Sequence, residues 1–545
     1  MNQSKNHPAL GWWKAAGTFE KTTAADLEQD LYTLHRPVYL VQHDSGPVAG
    51  RNGTAVLDDT VAPDNALPLL AYAPPVQLEN LGDPSFCADY GLKYPYVAGA
   101  MANGCTSRGI VEEMGLNGML GVFGAAGLSL SAVEAAINRI SQNLEDRPYG
   151  FNLIHSPNEP QLEAAIVDLY LRRGIRLVTA SAYLGLTLPV VRYRVHGIHR
   201  DATGRIVTPN RILAKISRVE VATHFFSPPP ERFLRELVAA SEISEEQALL
   251  AEQIPMAQDI TAEADSGGHT DNRPAVTLFP TIMALRDRVQ AQYGYAQKLR
   301  VGAAGGISTP VSAAAAFLMG AAYIVTGSVN QACVESGTSD IVRQMLADTR
   351  QADVIMAPAA DMFEMGVKVQ VLKRGTMFAM RAAKLYNVYR NCDSLEDIPS
   401  ETAEELEKKY FRLPLQTVWE QTRDYFQSRD ITQIQRAHDD PKHKMALVFR
   451  WYLGQSSRWA ISGDPSRKLD YQVWCGPSMG AFNEWSQGSF LEDPQHRTVV
   501  TVAFNILYGA SVVSRIHCLQ AQGAQLPPEF ATPVPLSRAE ILKRL

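Results

Sequence analysis

Cysteine is scarce and scattered: six residues (Cys87, Cys105, Cys333, Cys392, Cys475, Cys518), with no C-x-x-C pair and no Cys/His spacing suited to zinc. A disulfide framework and a structural metal are therefore excluded as the basis of the fold, and free thiols in a reducing compartment are expected. No run reaches the ~18 uninterrupted apolar residues of a membrane span. The N-terminal MNQSKNHPALGWWK is polar where a secretory signal is apolar. Positive charge is not in excess either, since 51 Lys and Arg stand against 57 Asp and Glu for a net −6. A chain built to neutralise a phosphate backbone needs the opposite balance. The expectation is a cytoplasmic protein with no nucleic acid, no membrane and no metal among its ligands.

What is present is length and alternation. At 545 residues the chain exceeds one compact core and divides into two to four units. Residues 1–93 mix short β-like runs (38–42, VYLVQ) with turn-rich stretches such as DSGPVAGRNG, and read as an accessory segment. From Tyr94, eight apolar runs of strand length alternate with amphipathic stretches: YPYVAGAM, GMLGVFG, YGFNLIH, IRLVTASA, RILAKIS, DITAEAD, LRVGAAGG and AYIVTGSV. Near-continuous hydrophobic strands separated by helices imply a parallel sheet covered on both faces. Eight such repeats over 94–330 match an α/β fold of the (β/α)8 TIM-barrel kind, typically ~250 residues. A doubly wound nucleotide-binding sheet is disfavoured, because the first unit offers AGAMANG where G-x-G-x-x-G is required. Residues 331–545 read as a mostly helical region.

A barrel carries its chemistry at the C-terminal ends of its strands. The seventh run ends in Gly305-Gly306 and is followed by Thr309 as a helix cap with Pro310 at the first helical position. The eighth ends in Gly327-Ser328. Two glycine-equipped loops there suit a phosphate. The first and second runs end in Gly99-Ala100-Met101 and in 121–127 (GVFGAAG), small residues that either admit a flat ring or ease helix–strand packing. Asn152 and Lys215 interrupt aliphatic runs and must find partners; a ring bearing carbonyl and imide groups would supply them, as would an ion pair for Lys215. His269 follows the sixth run directly after Gly267-Gly268, glycines that let backbone approach a ligand. Asp265 and Asp271 are the carboxylates nearest in sequence that could orient it.

EADSGGHT, VGAAGGISTPVSAAAAFLMGAAYIVTGS, GAMANGCTSRGIVEEMGLNGMLGVFGAAG and YGFNLIH together resemble the FMN-dependent 2-nitropropane dioxygenase (nitronate monooxygenase) and enoyl-reductase superfamily. With DMFEMGVKVQVLKRGTMFAMRAAKLY and GAFNEW, the chain is similar to the PfaD-type trans-acting enoyl reductases of polyketide and polyunsaturated fatty acid synthases. The resemblance implies FMN with its phosphate at Gly305, Gly306, Gly327 and Ser328 and its ring near Ala100, Met101, Asn152 and Lys215. It implies NADPH or NADH as reductant, and hydride delivery to the β-carbon of an enoyl thioester carried by an acyl carrier protein. His269 or Lys215 would donate the proton or polarise the carbonyl. A nitronate monooxygenase and a catalytically silent flavin-binding scaffold are the alternatives; Asp265-Ser266 departs from the Glu-Ala common in nitronate-oxidising relatives. Arg374, Arg381 and Lys384 are expected along one helix face as a dock for the carrier, and a homodimer is allowed for.

Overall fold

The computed structural model describes residues 9–545, apart from Glu20, Ser45, Asp59, Thr60 and Asn158. The polar run MNQSKNHP therefore lies outside the described residues. All eight expected strands form: β1 (Tyr96–Ala98), β2 (Leu120–Phe123), β3 (Gly150–Ile154), β4 (Leu177–Ser181), β5 (Arg211–Ile216), β6 (Asp259–Glu263), β7 (Arg300–Ala304) and β8 (Ile324–Thr326). They pair in parallel in chain order, and β8 returns to β1 with Val325 opposite Val97, closing the barrel. Every residue of β2 and β7 is buried, which is why these runs, apart from the ion-paired Arg300 that opens β7, are continuously apolar rather than alternating.

Seven helices follow their strands: α1 (Arg108–Leu116), α2 (Leu130–Leu144), α3 (Pro160–Arg172), α4 (Leu188–Val195), α5 (Val219–Phe226), α6 (Ala275–Tyr293) and α7 (Pro310–Leu318). Thr309 caps α7 and Pro310 opens it, as expected from the sequence. After β8, however, the chain makes only the short turn Ser328–Gln331. The eighth position of the outer ring is taken by α8 (Val499–Ala521), which packs against both α7 and α1. Gly509 permits that contact, since a Cβ there would lie 2.5 Å from a Pro310 ring carbon.

By length and composition α8 is apolar enough to cross a membrane, but 89% of its apolar window is buried within the protein. Its far side meets the N-terminal unit, an antiparallel sheet ordered Gly46–Gly50, Val38–His43, Leu67–Ala73, Gly11–Ala15, Gly53–Val56. A helix enclosed on all sides is apolar all round. Its buried Arg515 donates to the carbonyls of Leu31, Thr33 and Arg36, binding that unit to the barrel.

Residues 332–498 thus leave the barrel wall and return to it at one place. They are not only helical: the hairpin Val354–Pro358 and Lys368–Leu372 takes Gly268–His269 from the barrel as its third strand. Beyond it, helices including Phe378–Asn391 and Pro441–Ser462 enclose a second core around Phe378, Phe411, Phe449 and Tyr452. The basic face expected here does not exist. The helix begins at Phe378, so Arg374 lies in the turn before it, against Asp353. Arg381 is buried, ion-paired with Asp470 and stacked over Tyr410, so it serves the core of this unit.

The bottom of the barrel is sealed by the helix Pro84–Tyr90. Phe86 stacks on Tyr323 at 4.1 Å between centroids, and the Tyr90 hydroxyl donates to Asp259 at 2.8 Å. Arg300 and Asp259, 1% and 0% exposed, form a two-pronged pair at 2.7 and 3.0 Å. Asp259→Asn leaves the buried Arg300 guanidinium with only the half-exposed Asp89 as countercharge and should cost about 3 kcal/mol, read as a lower urea midpoint; an unchanged midpoint would contradict this role.

Candidate active site

The top of the barrel opens into a cleft of about 850 Å³, part of it continuous with solvent. Of the residues expected from the sequence, Ala100, Met101, Asn152, Lys215, Gly305, Gly306, Gly327 and Ser328 all line it. Loop one is held by the buried Thr106, whose hydroxyl donates to the Gly99 carbonyl (2.7 Å) and accepts from the Met101 amide (2.9 Å). The small residues after β2 do not reach the cleft. A Cβ on Gly121 would sit 2.5 Å from the Val111 Cα, and one on Gly124 would sit 1.7 Å from the Met101 carbonyl oxygen. They serve close packing of helix and loop.

The two glycine loops differ in what their glycines do. Gly305 has φ +80° and its α-carbon abuts Ala264 backbone, where a Cβ would meet atoms at 2.6 Å. At Gly306 and Gly327 a Cβ would meet nothing within 4 Å. Among the described residues, the backbone amides of Gly306, Ile307, Gly327 and Ser328 have no acceptor within the protein. The Ser328 hydroxyl accepts from the Gly476 amide at 3.0 Å and keeps its own proton to donate. Amides without acceptors beside open space are the kind of donor set that an anionic group such as a phosphate requires.

The polar residues on the strands are oriented from behind. Asn152 accepts from Ser181 at 2.9 Å through its side-chain oxygen, leaving its NH2 for the cleft. Lys215 is ion-paired at 2.8 Å with Glu263, whose same oxygen accepts from Ser266 at 2.9 Å. The ion pair anticipated for Lys215 is therefore real, and both partners line the cleft.

His269 stands beside the cleft rather than on its wall, close enough for its charge to be felt by Lys215 and Glu263. Neither expected carboxylate orients it. Asp271 is taken by Arg218 and Ser217, and Asp265 by Asn272 and Gln370. The partner is Asp361, 2.9 Å from Nε2, in the connection of the added hairpin. Burial opposes the imidazolium, but the Asp361 carboxylate outweighs it and holds the pKa above the usual 6.5. Of the glycine pair before it, Gly267 lines the cleft, as expected, and also has a second task. A Cβ on Gly267 would lie 2.9 Å from the backbone of Cys475 and Gly476, so this glycine makes room for protein. Gly268 supplies φ +80°.

Glu263, Thr179 and Thr261 line the cleft as well and were not expected there, although DITAEAD repeats the polar-in-strand signal that marked Lys215. Asp361, Trp474 and Ser478 reach the site from the inserted segment, and nothing in their local sequence signals it.

A family model described as nitronate monooxygenase matches residues 85–411, more than half of the chain. The chain belongs to that family. A second model, the inserted helical domain of [acyl-carrier-protein] S-malonyltransferase, matches residues 392–471, within the helical unit. A polyunsaturated fatty acid synthase component of Thraustochytrium sp. is 46% identical over 93% of this chain and 34% of its own length. Polyketide biosynthesis protein PksE of Bacillus subtilis is 44% identical over 80% of this chain and 57% of that protein. The chain thus spans about a third and just over half of these relatives. Among solved structures, the enoyl reductase domain of MlnA, from the macrolactin biosynthesis cluster of Bacillus amyloliquefaciens, superposes with TM-score 0.76 at 40% identity. That match covers 82% of this chain and 99% of the domain.

Gly267→Ala should force the loops at 266–267 and 475–476 apart at a cost of about 1–3 kcal/mol. The expected readout is a lower thermal midpoint; a midpoint equal to wild type would show that the loops have slack.

Proposed function

We propose that the chain is an FMN-dependent, NAD(P)H-oxidising enoyl reductase acting on α,β-unsaturated thioesters carried by an acyl carrier protein of a polyketide or polyunsaturated fatty acid synthase. The observation that carries the reading is the MlnA enoyl reductase domain, matched over 99% of its length at 40% identity. The synthase relatives and the malonyltransferase-like helical insert support a carrier-borne substrate. A nitronate oxidiser, by contrast, takes a small free substrate and has no evident use for an insert of this size.

The residues fit FMN. The amides of Gly306, Ile307, Gly327 and Ser328 would hold its phosphate, and the cleft beside Ala100 and Met101 would hold its ring. Asn152 and Lys215 would meet the carbonyl and imide edge, where a fixed cation and amide donors favour electron-rich ring oxygens. Bound there, the flavin supplies the hydride relay between a reduced nicotinamide and the thioester's β-carbon. The protein's own tasks are to exclude water with Trp474 and the loops around it, to fix the ring edge, and to bring a proton from the His269 side.

Purified protein is expected to be yellow, with a flavin spectrum, and to add the mass of H2 to an enoyl-carrier protein in the presence of NADPH, read by mass spectrometry. Gly327 has open space beyond its α-carbon, but its backbone (φ −131°, ψ −79°) lies outside the regions L-residues favour, so Gly327→Ala should lower the apoprotein's unfolding midpoint slightly while placing a methyl in the cleft that weakens flavin binding. A loss of about 2 kcal/mol or more is expected where a buried phosphate loses its donors. Colourless protein that takes up no added FMN would overturn the reading.

A further inference from the structure

Barrel residues alone do not complete the acid. His269 lies on the edge strand Gly268–His269, whose partner Lys368–Leu372 belongs to the segment inserted after β8, with His269 opposite Val369. The loop of that hairpin, closed by the Ala359 amide on the Val367 carbonyl at 2.9 Å, carries Asp361. It is anchored by Phe363, fully buried in the second core, and by Glu364, which binds His443 at 3.0 Å. The carboxylate is therefore fixed independently of the histidine it meets. On the His269 ring, Nε2 is engaged by Asp361, while Nδ1 has no partner among the described residues.

We infer that Asp361 is a positioning residue: supplied by the inserted segment, it fixes the His269 ring and keeps Nε2 protonated, so that Nδ1–H is the bond available for protonating substrate. The inference rests on the enoyl reductase reading and deepens it by choosing between His269 and Lys215 as the proton source. Lys215 lines the cleft and keeps donors beyond its bond to Glu263, but the flavin reading places it at the ring edge; that leaves His269, whose Nδ1–H is open when the ring is charged, as the proton source. In the step, the N–H bond at Nδ1 breaks and a C–H bond forms at the α-carbon. Hydride originating from the nicotinamide enters the β-carbon, and the nicotinamide is oxidised. The imidazole is left neutral with its Nε2 proton on the Asp361 side, and solvent restores Nδ1–H.

The charged groups facing His269 are Asp361 from the hairpin loop, Lys215 from β5 and Glu263 from β6, while Arg450 acts on Asp361 from the helix behind. Lys215 and Glu263 oppose each other, so removing Asp361 is expected to decide the sign. Without the carboxylate the imidazolium is less favoured, its pKa falls, and the acid is lost at lower pH as pH rises.

The experiment is a pH titration of ring-labelled histidines in the full chain by NMR, run beside the pH profile of enoyl-thioester reduction. The signal is assigned among the twelve histidines by its absence in His269→Gln. For Asp361→Asn, the His269 midpoint is expected to move down by about one unit, with the basic limb of kcat moving down equally. Above both midpoints kcat then falls about tenfold per unit, with KM little changed. Asp361→Glu is expected to restore midpoint and limb in part, which a merely structural role would not produce. An unmoved His269 midpoint in folded Asp361→Asn overturns the inference, as does a moved midpoint with an unmoved limb. Absence of enoyl reduction in wild type sinks the reductase reading instead, while the titration still decides whether Asp361 controls His269.

Discussion

The eighth helix is the constraint on which the upper half of the molecule depends. A (β/α)8 ring is closed only when each strand is covered, and here the cover for β8 arrives at Val499, far along the chain. Because α8 wedges between α7 and α1 and is enclosed by the N-terminal sheet, the segment before it is pinned at both ends to one side of the barrel. A long insertion tethered at a single hinge would be free to swing; one whose exit and return are both fixed in the wall is held over the mouth. The backbone contact of Gly267 with Cys475 and Gly476, and the shared sheet of Gly268–His269 with Lys368–Leu372, follow from that geometry.

The barrel was legible in the sequence because burial on both faces leaves a local mark. Eight apolar runs of strand length, each broken only where a side chain turns inward, give the strand count and the end at which chemistry lies. Asn152 and Lys215 were conspicuous for the same reason, and all eight residues expected to bind a cofactor line the cleft. The partner of His269 left no such mark. Asp361 is 92 residues away, in a loop whose composition resembles any other, and proximity in sequence favoured Asp265 and Asp271, which the fold turns toward Gln370 and Arg218. Glycines were equally ambiguous. Gly306 and Gly327 leave space for a ligand, while Gly124 and Gly267 leave space for another stretch of backbone; the letter is the same and only the neighbour differs.

Three ion pairs along the barrel axis show how burial sorts charge into structure and chemistry. At the bottom, Arg300 and Asp259 are fully enclosed, and the remaining capacity of the pair is taken by Tyr90, Ser85 and Asp89. Nothing is left over to exchange with a substrate, and the pair's value lies in the penalty for breaking it. At the top, Lys215 with Glu263 and His269 with Asp361 are only partly covered, and the lysine and the charged histidine each keep a donor that no described residue takes. A charge whose hydrogen-bonding capacity is saturated holds a fold together; one held by a single partner and left otherwise open is poised to act. The inserted segment supplies the partner for the histidine but none for the lysine. Loss of that segment's register would therefore change the acid before it changed the cleft floor, so proton delivery at this site is governed by residues that the barrel itself does not encode.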